Sequence, residues 1–217
     1  MARIAILGGT GPEGVGLAMR LAQLGEPVVI GSRQASRAVE AAAKIAAAVP
    51  SARVSGGTNE VVVTDADYVV LGFPFAGLAP FLAEHAAALA GKIVIDIINP
   101  LVMRRGVFSV PQFPEGSAGE LAQQMAPQAR VVSAFKTLSA EHLQELHEPL
   151  TGDVILCGED ETAKQEVAQL VRRIPNLRPL DAGAMINSRA IEAITAMLLN
   201  LNRRYKAVTS IQILGID

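Results

Sequence analysis

Apolar and polar positions along this chain fall into two alternating rhythms. Short, nearly continuous apolar runs rich in Val and Ile predict strands near residues 3–7, 27–31, 53–56, 67–72, 92–97 and 130–135. Runs of that kind are buried on both faces, as in a parallel sheet sandwiched between helices. Between them, Ala-rich stretches with apolar residues every three or four positions predict helices over 12–24, 35–48, 76–89 and 117–126. Ser117-Ala-Gly-Glu120 has the spacing of a capping box and marks the start of the last one. Further on, a helical piece near 139–147, a strand near 153–157, a helix over 160–173 and a strand near 177–181 predict an extension of the same sheet. The alternation predicts an α/β fold: a doubly wound, mostly parallel sheet of Rossmann type with a C-terminal helical extension.

Two segments depart from the rhythm. Residues 99–116 hold Pro100, Gly106, Pro111, Pro114 and Gly116, and predict a long irregular loop of the kind that serves as a lid. Residues 185–205 carry Ile186, Ala190, Ile194, Met197, Leu198, Leu201 and Tyr205 at helical spacing, with Ile191 and Leu199 widening the apolar arc. Such an arc exceeds what one packing face needs. Either the helix is buried within its own subunit or it is shared with a second copy; a homodimer is the expectation.

Composition narrows the class. At 217 residues, half of them hydrophobic, the chain can bury one good core and is too short for two full-sized domains. A single domain over 1–217 is expected, with a core over 1–150 and an elaboration over 151–217. Net charge is −2 with the two signs intermixed, so no footprint for nucleic acid appears. No apolar run approaches the ~18 residues that span a bilayer, and Gly8 to Gly14 interrupt the N-terminal run before a signal-peptide core is complete. A cytoplasmic protein without membrane contact is expected. The lone Cys157 has no C-x-x-C partner and reads as a small apolar residue, and nothing has the spacing of a metal site.

Candidate chemistry begins at the first strand, which runs into Gly8-Gly9-Thr10-Gly11-Pro12-Glu13-Gly14. Gly9, Gly11 and Gly14 fit G-x-G-x-x-G: tight turn, close backbone approach to a pyrophosphate, and close packing of helix on strand. Free N–H groups and the dipole at the helix start favour the anion. Which dinucleotide binds depends on the end of the second strand, where an acidic residue would take the ribose of NAD. Here the chain reads Gly31-Ser32-Arg33, with Arg37 one helical turn on. A hydroxyl and two guanidiniums match a 2′-phosphate, which a carboxylate would repel. NADP is therefore the expected dinucleotide.

In such a sheet the ligand crevice lies beyond the carboxyl ends of the strands. Three segments fall there: Gly72-Phe73-Pro74-Phe75, Ile98-Asn99-Pro100-Leu101, and Ala134 through Ala140. Phe73 and Pro100 can wall a nicotinamide ring, while Asn99, Thr137 and Ser139 offer donors. No Tyr-x-x-x-Lys pair is present to protonate a carbonyl, and His85, His142 and His147 fall in helical stretches away from the rim. Lys136 is the one basic side chain that this reading places against an acceptor, as an electrostatic contact. A ring that takes hydride without a tuned acid, a flavin or deazaflavin, fits this set best. An NADPH-dependent imine, carbonyl or flavin reductase and a non-enzymatic NADP-sensing module are the alternatives; an imine or carbonyl reductase would need Lys136 as proton donor.

Several of these residues together resemble one family. Leu7-Gly-Gly-Thr-Gly11, Ile30-Gly-Ser-Arg33, Asn99-Pro100, Glu115-Gly-Ser-Ala118, Val132-Ser-Ala134, the run from Leu177 to Gly183 and Asn187-Ser-Arg189 are similar to the F420H2:NADP oxidoreductases, which pass hydride between NADP and the deazaflavin coenzyme F420. The resemblance implies that Thr10, Gly11, Pro12 and Glu13, with Ser32, Arg33 and Arg37, hold the NADP phosphates. It also implies that Phe73, Asn99 and Ala140 line the nicotinamide end, with F420 as second substrate over that ring. The chain departs from the family at Lys136, where its members carry His.

Overall fold

The computed structural model describes residues 2–216. Six parallel strands form the central sheet: β1 (Ile4–Leu7), β2 (Pro27–Ser32), β3 (Arg53–Thr58), β4 (Tyr68–Leu71), β5 (Ile93–Asp96) and β8 (Arg130–Ser133). Their spatial order is β3-β2-β1-β4-β5-β8, which reverses between β1 and β4. This is the doubly wound Rossmann order, and the reversal opens a crevice at the carboxyl ends. β1, β2, β4 and β5 read as largely apolar runs because both faces are covered, whereas the edge strand β3 is exposed or half-buried throughout. Ile4 and Ile6 pack in one core with α1 (Pro12–Gln23), α2 (Ala35–Ala48) and α7 (Glu161–Arg173). Ala5 and Leu7 pack in the other with α3 (Asn59–Thr64), α4 (Leu78–His85) and α5 (Ala118–Met125).

The capping box is present as expected: Ser117 Oγ accepts from Glu120 N at 3.1 Å. The later strands, β9 (Gly152–Leu156) and β10 (Leu177–Asp181), differ from the expectation of a simple sheet extension. They form their own parallel pair and, among the described residues, join the main sheet through an antiparallel bridge between Ser133 and Cys157. Asp153 Oδ1 and Oδ2 take Arg178 Nε and Nη2 at 2.8 and 3.0 Å, which fixes the pair's register. The expected helix over 139–147 is shorter, α6 (Ala140–Gln144).

The expected irregular loop is in fact built around a hairpin, β6 (Val102–Arg104) and β7 (Val107–Ser109). Its turn residues Arg105 and Gly106 have φ of 48° and 79°, the left-handed pair of a tight two-residue hairpin. It is pinned rather than free. Asn200 Oδ1 accepts from Phe108 N at 2.8 Å and Asn200 Nδ2 donates to Phe108 O at 2.9 Å. Phe113, further along, packs on Phe75 with ring centroids 4.9 Å apart and planes tilted by 42°.

Asn200 belongs to the long C-terminal helix α8 (Ser188–Tyr205). The wide arc of this helix is used mostly inside the subunit, since Ile191 joins a core cluster and Leu199 lines a cavity. Ile186, in the turn that leads into α8, and Met197 remain 55% and 51% exposed. Among the described residues no helix is long and apolar enough to cross a membrane, and no group of three or more His, Cys, Asp or Glu could hold a metal ion.

Candidate active site

Gly8 carries the left-handed turn (φ 70°) that follows β1, one residue before the glycine singled out by the motif. A Cβ there would lie 2.8 Å from Gly72 backbone atoms, so Gly8 also lets β1 and β4 run close together. A Cβ on Gly14 would lie 2.8 Å from Gly9 Cα, so α1 packs directly on the turn. At Gly11, by contrast, a Cβ would meet only Gly8 O, at 3.5 Å. Gly11 is also the N-cap of α1 and no side chain caps this end, so open space lies beside uncapped helix N–H groups. Those are the requirements of an anion such as pyrophosphate.

Parallel pairing sets Gly31, at the end of β2, against Leu7, so Ser32 and Arg33 emerge beside the glycine turn. Ser32 is buried and its Oγ accepts from Gln34 N at 3.3 Å. Arg33 and Arg37 are exposed, with no ion pair among the described residues, and Thr10 is exposed as well.

A cavity of about 650 Å³ extends from the turn along the carboxyl ends of β4 and β5. Gly11, Pro12 and Glu13 line one end. Phe73, Pro74, Ile98 and Leu101 form apolar walls, the segment Lys136–Glu141 borders it with Ala140, and Leu198, Leu199 and Asn202 of α8 close it with Val208 and Thr209. The fold thus gathers Gly11, Pro12, Glu13, Phe73, Asn99 and Ala140 on one cavity. Gly9 is buried behind the turn, and Pro100 is buried next to Asn99 rather than lining the wall.

Three ties to α1 hold the Ala140 rim in place. Gln144 Nε2 donates to Pro12 O at 3.0 Å. Gly16 allows Leu143 to approach, since a Cβ there would be 2.5 Å from Leu143 Cβ. The buried Arg20 guanidinium donates to the carbonyls of His142, Leu143, Glu145 and Glu148 and so caps the end of α6.

Lys136 is where the structure corrects the sequence reading. The chain leaves β8 through Phe135, buried and left-handed at φ 58°, and Lys136 follows with only 1% of its surface exposed. Its ammonium lies 2.7 Å from Asp96 Oδ2 and 3.1 Å from Glu192 Oε1, and donates also to Ile98 O. All three donors are used inside the protein, so none is left over for an acceptor in the cavity. What borders the cavity is its backbone: Lys136 O accepts from Asn99 Nδ2 at 2.9 Å and from Thr195 Oγ1 at 3.0 Å. This leaves Asn99 Oδ1 buried without a donor. An orphaned acceptor on the cavity wall suits an incoming amide N–H.

Burial drives Lys136 toward neutrality, but the carboxylates of Asp96 and Glu192 outweigh it and hold the ammonium above its ordinary value. Burial raises Glu192, with Lys136 opposing and Asp96 adding to the rise. Its Oε2 has no partner. Glu13 was legible only as part of the turn. Half-buried on the cavity, it is raised to about 8, by burial first, with Lys136 partly offsetting and Asp96 adding. Burial pushes the Cys157 thiol up to about 12, which leaves it inert at neutral pH.

Comparison with known proteins agrees with this fold. Residues 3–100 match the family described as NADP oxidoreductase, coenzyme F420-dependent. The F420-dependent NADP reductase of Methanocaldococcus jannaschii is 36% identical over 222 aligned positions, covering 99% of both chains. That of Methanothermobacter thermautotrophicus is 37% identical, covering 93% of this chain and 90% of the relative. A crystal structure of a candidate F420-dependent NADP reductase from Arthrobacter sp. FB24 superposes with a TM-score of 0.84 at 28% identity over the whole of both chains.

Two outcomes follow from the charges. Lys136→Met leaves two buried carboxylates unpaired and should cost about 3 to 5 kcal/mol in urea unfolding, while Lys136→Met combined with Asp96→Asn and Glu192→Gln costs less. A loss below ~1 kcal/mol for the single variant would contradict the buried cluster. Glu13 is protonated below its raised value and anionic above it, and the anionic form repels a pyrophosphate at Gly11. NADPH affinity should therefore fall as pH rises through about 8, and Glu13→Gln should flatten that fall. Identical titration profiles for the two proteins would refute it.

Proposed function

The chain belongs to the family of F420-dependent NADP reductases, and from that premise we propose that it transfers hydride between NADP(H) and the deazaflavin coenzyme F420. The observation that carries this reading is one continuous cavity that joins an anion-ready glycine turn to apolar walls bearing a single orphaned amide acceptor, Asn99 Oδ1. We assign Gly9, Thr10, Gly11, Pro12 and Glu13 to the pyrophosphate, and Ser32, Arg33 and Arg37 to the 2′-phosphate. Phe73, Asn99, Ala140 and, from behind, Pro100 shape the nicotinamide end. Residues 1–217 act as one unit.

When bound, the nicotinamide and the deazaflavin supply the chemistry themselves: NADPH, oxidised F420 and one proton on one side, NADP and reduced F420 on the other. The chain's part is to bind, orient and exclude water. Phe73 and the Ile98–Leu101 wall exclude water, and the Asn99 amide, locked by Lys136 O, fixes ring orientation. Holding two rings at contact distance contributes through proximity. A delocalised deazaflavin ring takes hydride without a tuned acid, so the reaction needs neither the sequestered Lys136 ammonium nor another general acid, and the proton comes from solvent.

A specific observation favours one rival: the Glu13 carboxyl is protonated at neutral pH, so an imine or carbonyl reductase would find an acid there. Absorbance assays with NADPH against F420, FMN and cyclic imines separate these readings. Reduction of F420 alone is expected; reduction of imines alone, or of nothing, overturns the proposal. Arg33→Ala should weaken NADPH roughly 10- to 100-fold, corresponding to about 1.5 to 3 kcal/mol, and NADH hardly at all. Equal losses would remove the 2′-phosphate assignment.

We propose that the enzyme acts in the cytoplasm as a homodimer that covers the exposed Ile186 and Met197. Met197→Glu is expected to yield monomers in light scattering, and a monomeric wild type at micromolar concentration would dismiss the dimer.

A further inference from the structure

Five of the chain's 19 lysines and arginines crowd one place. Arg104 and Arg105 form the tip of the β6–β7 hairpin, and Arg203, Arg204 and Lys206 end α8; all five are exposed. The two groups touch: Arg203 Nη1 lies 2.9 Å from Met103 Sδ, and a Cβ on Gly106 would be 3.5 Å from Arg203 Nη2. None of the five has an ion pair among the described residues. No acidic residue occurs between Asp96 and Glu115 or between Glu192 and Asp217, so neither segment carries a carboxylate of its own to neutralise them.

Cations in the last turn of a helix complement its dipole, which accounts for Arg203 and Arg204 taken alone. It does not account for Arg105, which holds a left-handed φ of 48° at a turn position suited to Asn or Gly. Nor does it explain why hairpin and helix present their charge together. Both segments run directly into the cavity wall, through Leu101 on one side and Asn202, Ala207, Val208 and Thr209 on the other. The strand order sets this end apart from Arg33 and Arg37, which follow β2 on the other side of β1.

We propose that this patch is the docking site for the anionic side chain of the hydride partner. The inference rests on the F420 reading above: that coenzyme carries a phosphodiester and glutamate carboxylates on a flexible chain, and arginine forks match both groups. The ring then occupies the apolar walls while the charged chain crosses Ala207–Thr209 to the patch.

The test compares F420 with its tailless deazaflavin core, each at saturating NADPH, in the wild type and two variants. One variant is R203Q/R204Q. The other is R104Q/R105N, in which Asn relieves the left-handed position and the hairpin keeps its fold. At low ionic strength each variant should raise KM for F420 by about five- to tenfold, leave KM for the tailless core within about twofold, and lose the difference near 0.5 M salt. Unchanged KM for F420 in both variants, or equal losses for the tailed and tailless substrates, would overturn the docking site while leaving the hydride-transfer reading intact. A wild type that reduces neither deazaflavin overturns that reading, and this inference with it.

Discussion

The cavity wall depends on one buried ammonium. Lys136 gathers Asp96 from the end of β5 and Glu192 from α8, and Glu192 Oε1 in turn accepts from Ala118 N at the start of α5 at 2.9 Å. Ser133 Oγ, which donates to Asp96 at 2.8 Å and lies 2.9 Å from Ser188 Oγ, completes the net. A buried ion cluster is weak evidence for stability, because desolvation offsets most of the attraction. What it supplies here is placement. With the side chain held on three partners, the Lys136 carbonyl is fixed, and Asn99 and Thr195 both hang from it. The polar features of the apolar pocket are thus set by charges that never reach it.

The other wall is set by backbone proximity instead of charge. Gly16 brings α6 onto α1, and Arg20 satisfies the carbonyls at the end of α6 that a short helix leaves open. The same helix that presents its N-terminus at Gly11 therefore also sets Ser139 and Ala140 across from it. Both ends of the cavity are referred to α1, so turn and rim keep a fixed spacing.

Most of the sheet strands were legible because burial on both faces makes them largely apolar runs, the exposed edge strand β3 only through its place in the strand–helix alternation, and the glycine turn because its spacing is a backbone requirement. The β6–β7 hairpin was not: three-residue strands carry too little alternation, and its turn reads Arg105-Gly106 instead of Asn-Gly. α3, with its run Val61-Val62-Val63, has strand-like composition and is helical only through its place between β3 and β4. Lys136 follows a strand at the depth where rim residues belong, and nothing in the sequence signals that Phe135 turns left-handed. Glu13 was visible as a letter of the motif, but its altered acidity arises from burial and from Lys136 and Asp96, distant in sequence.

The resulting charge distribution bears on how two anionic coenzymes share one cavity. Arg33 and Arg37 stand beyond β2 at one end, and the five cations of the hairpin and α8 flank the other. Between them the cavity holds apolar walls and a carboxyl that is neutral below about pH 8. Ligands steered by their charged ends are drawn outward in opposite directions, and only their rings, which carry little charge, meet in the middle. A permanent charge at the centre would attract phosphate or carboxylate to the place where the rings must touch. Holding the Lys136 ammonium on Asp96, Glu192 and Ile98 O compensates its charge within the protein and so avoids that competition.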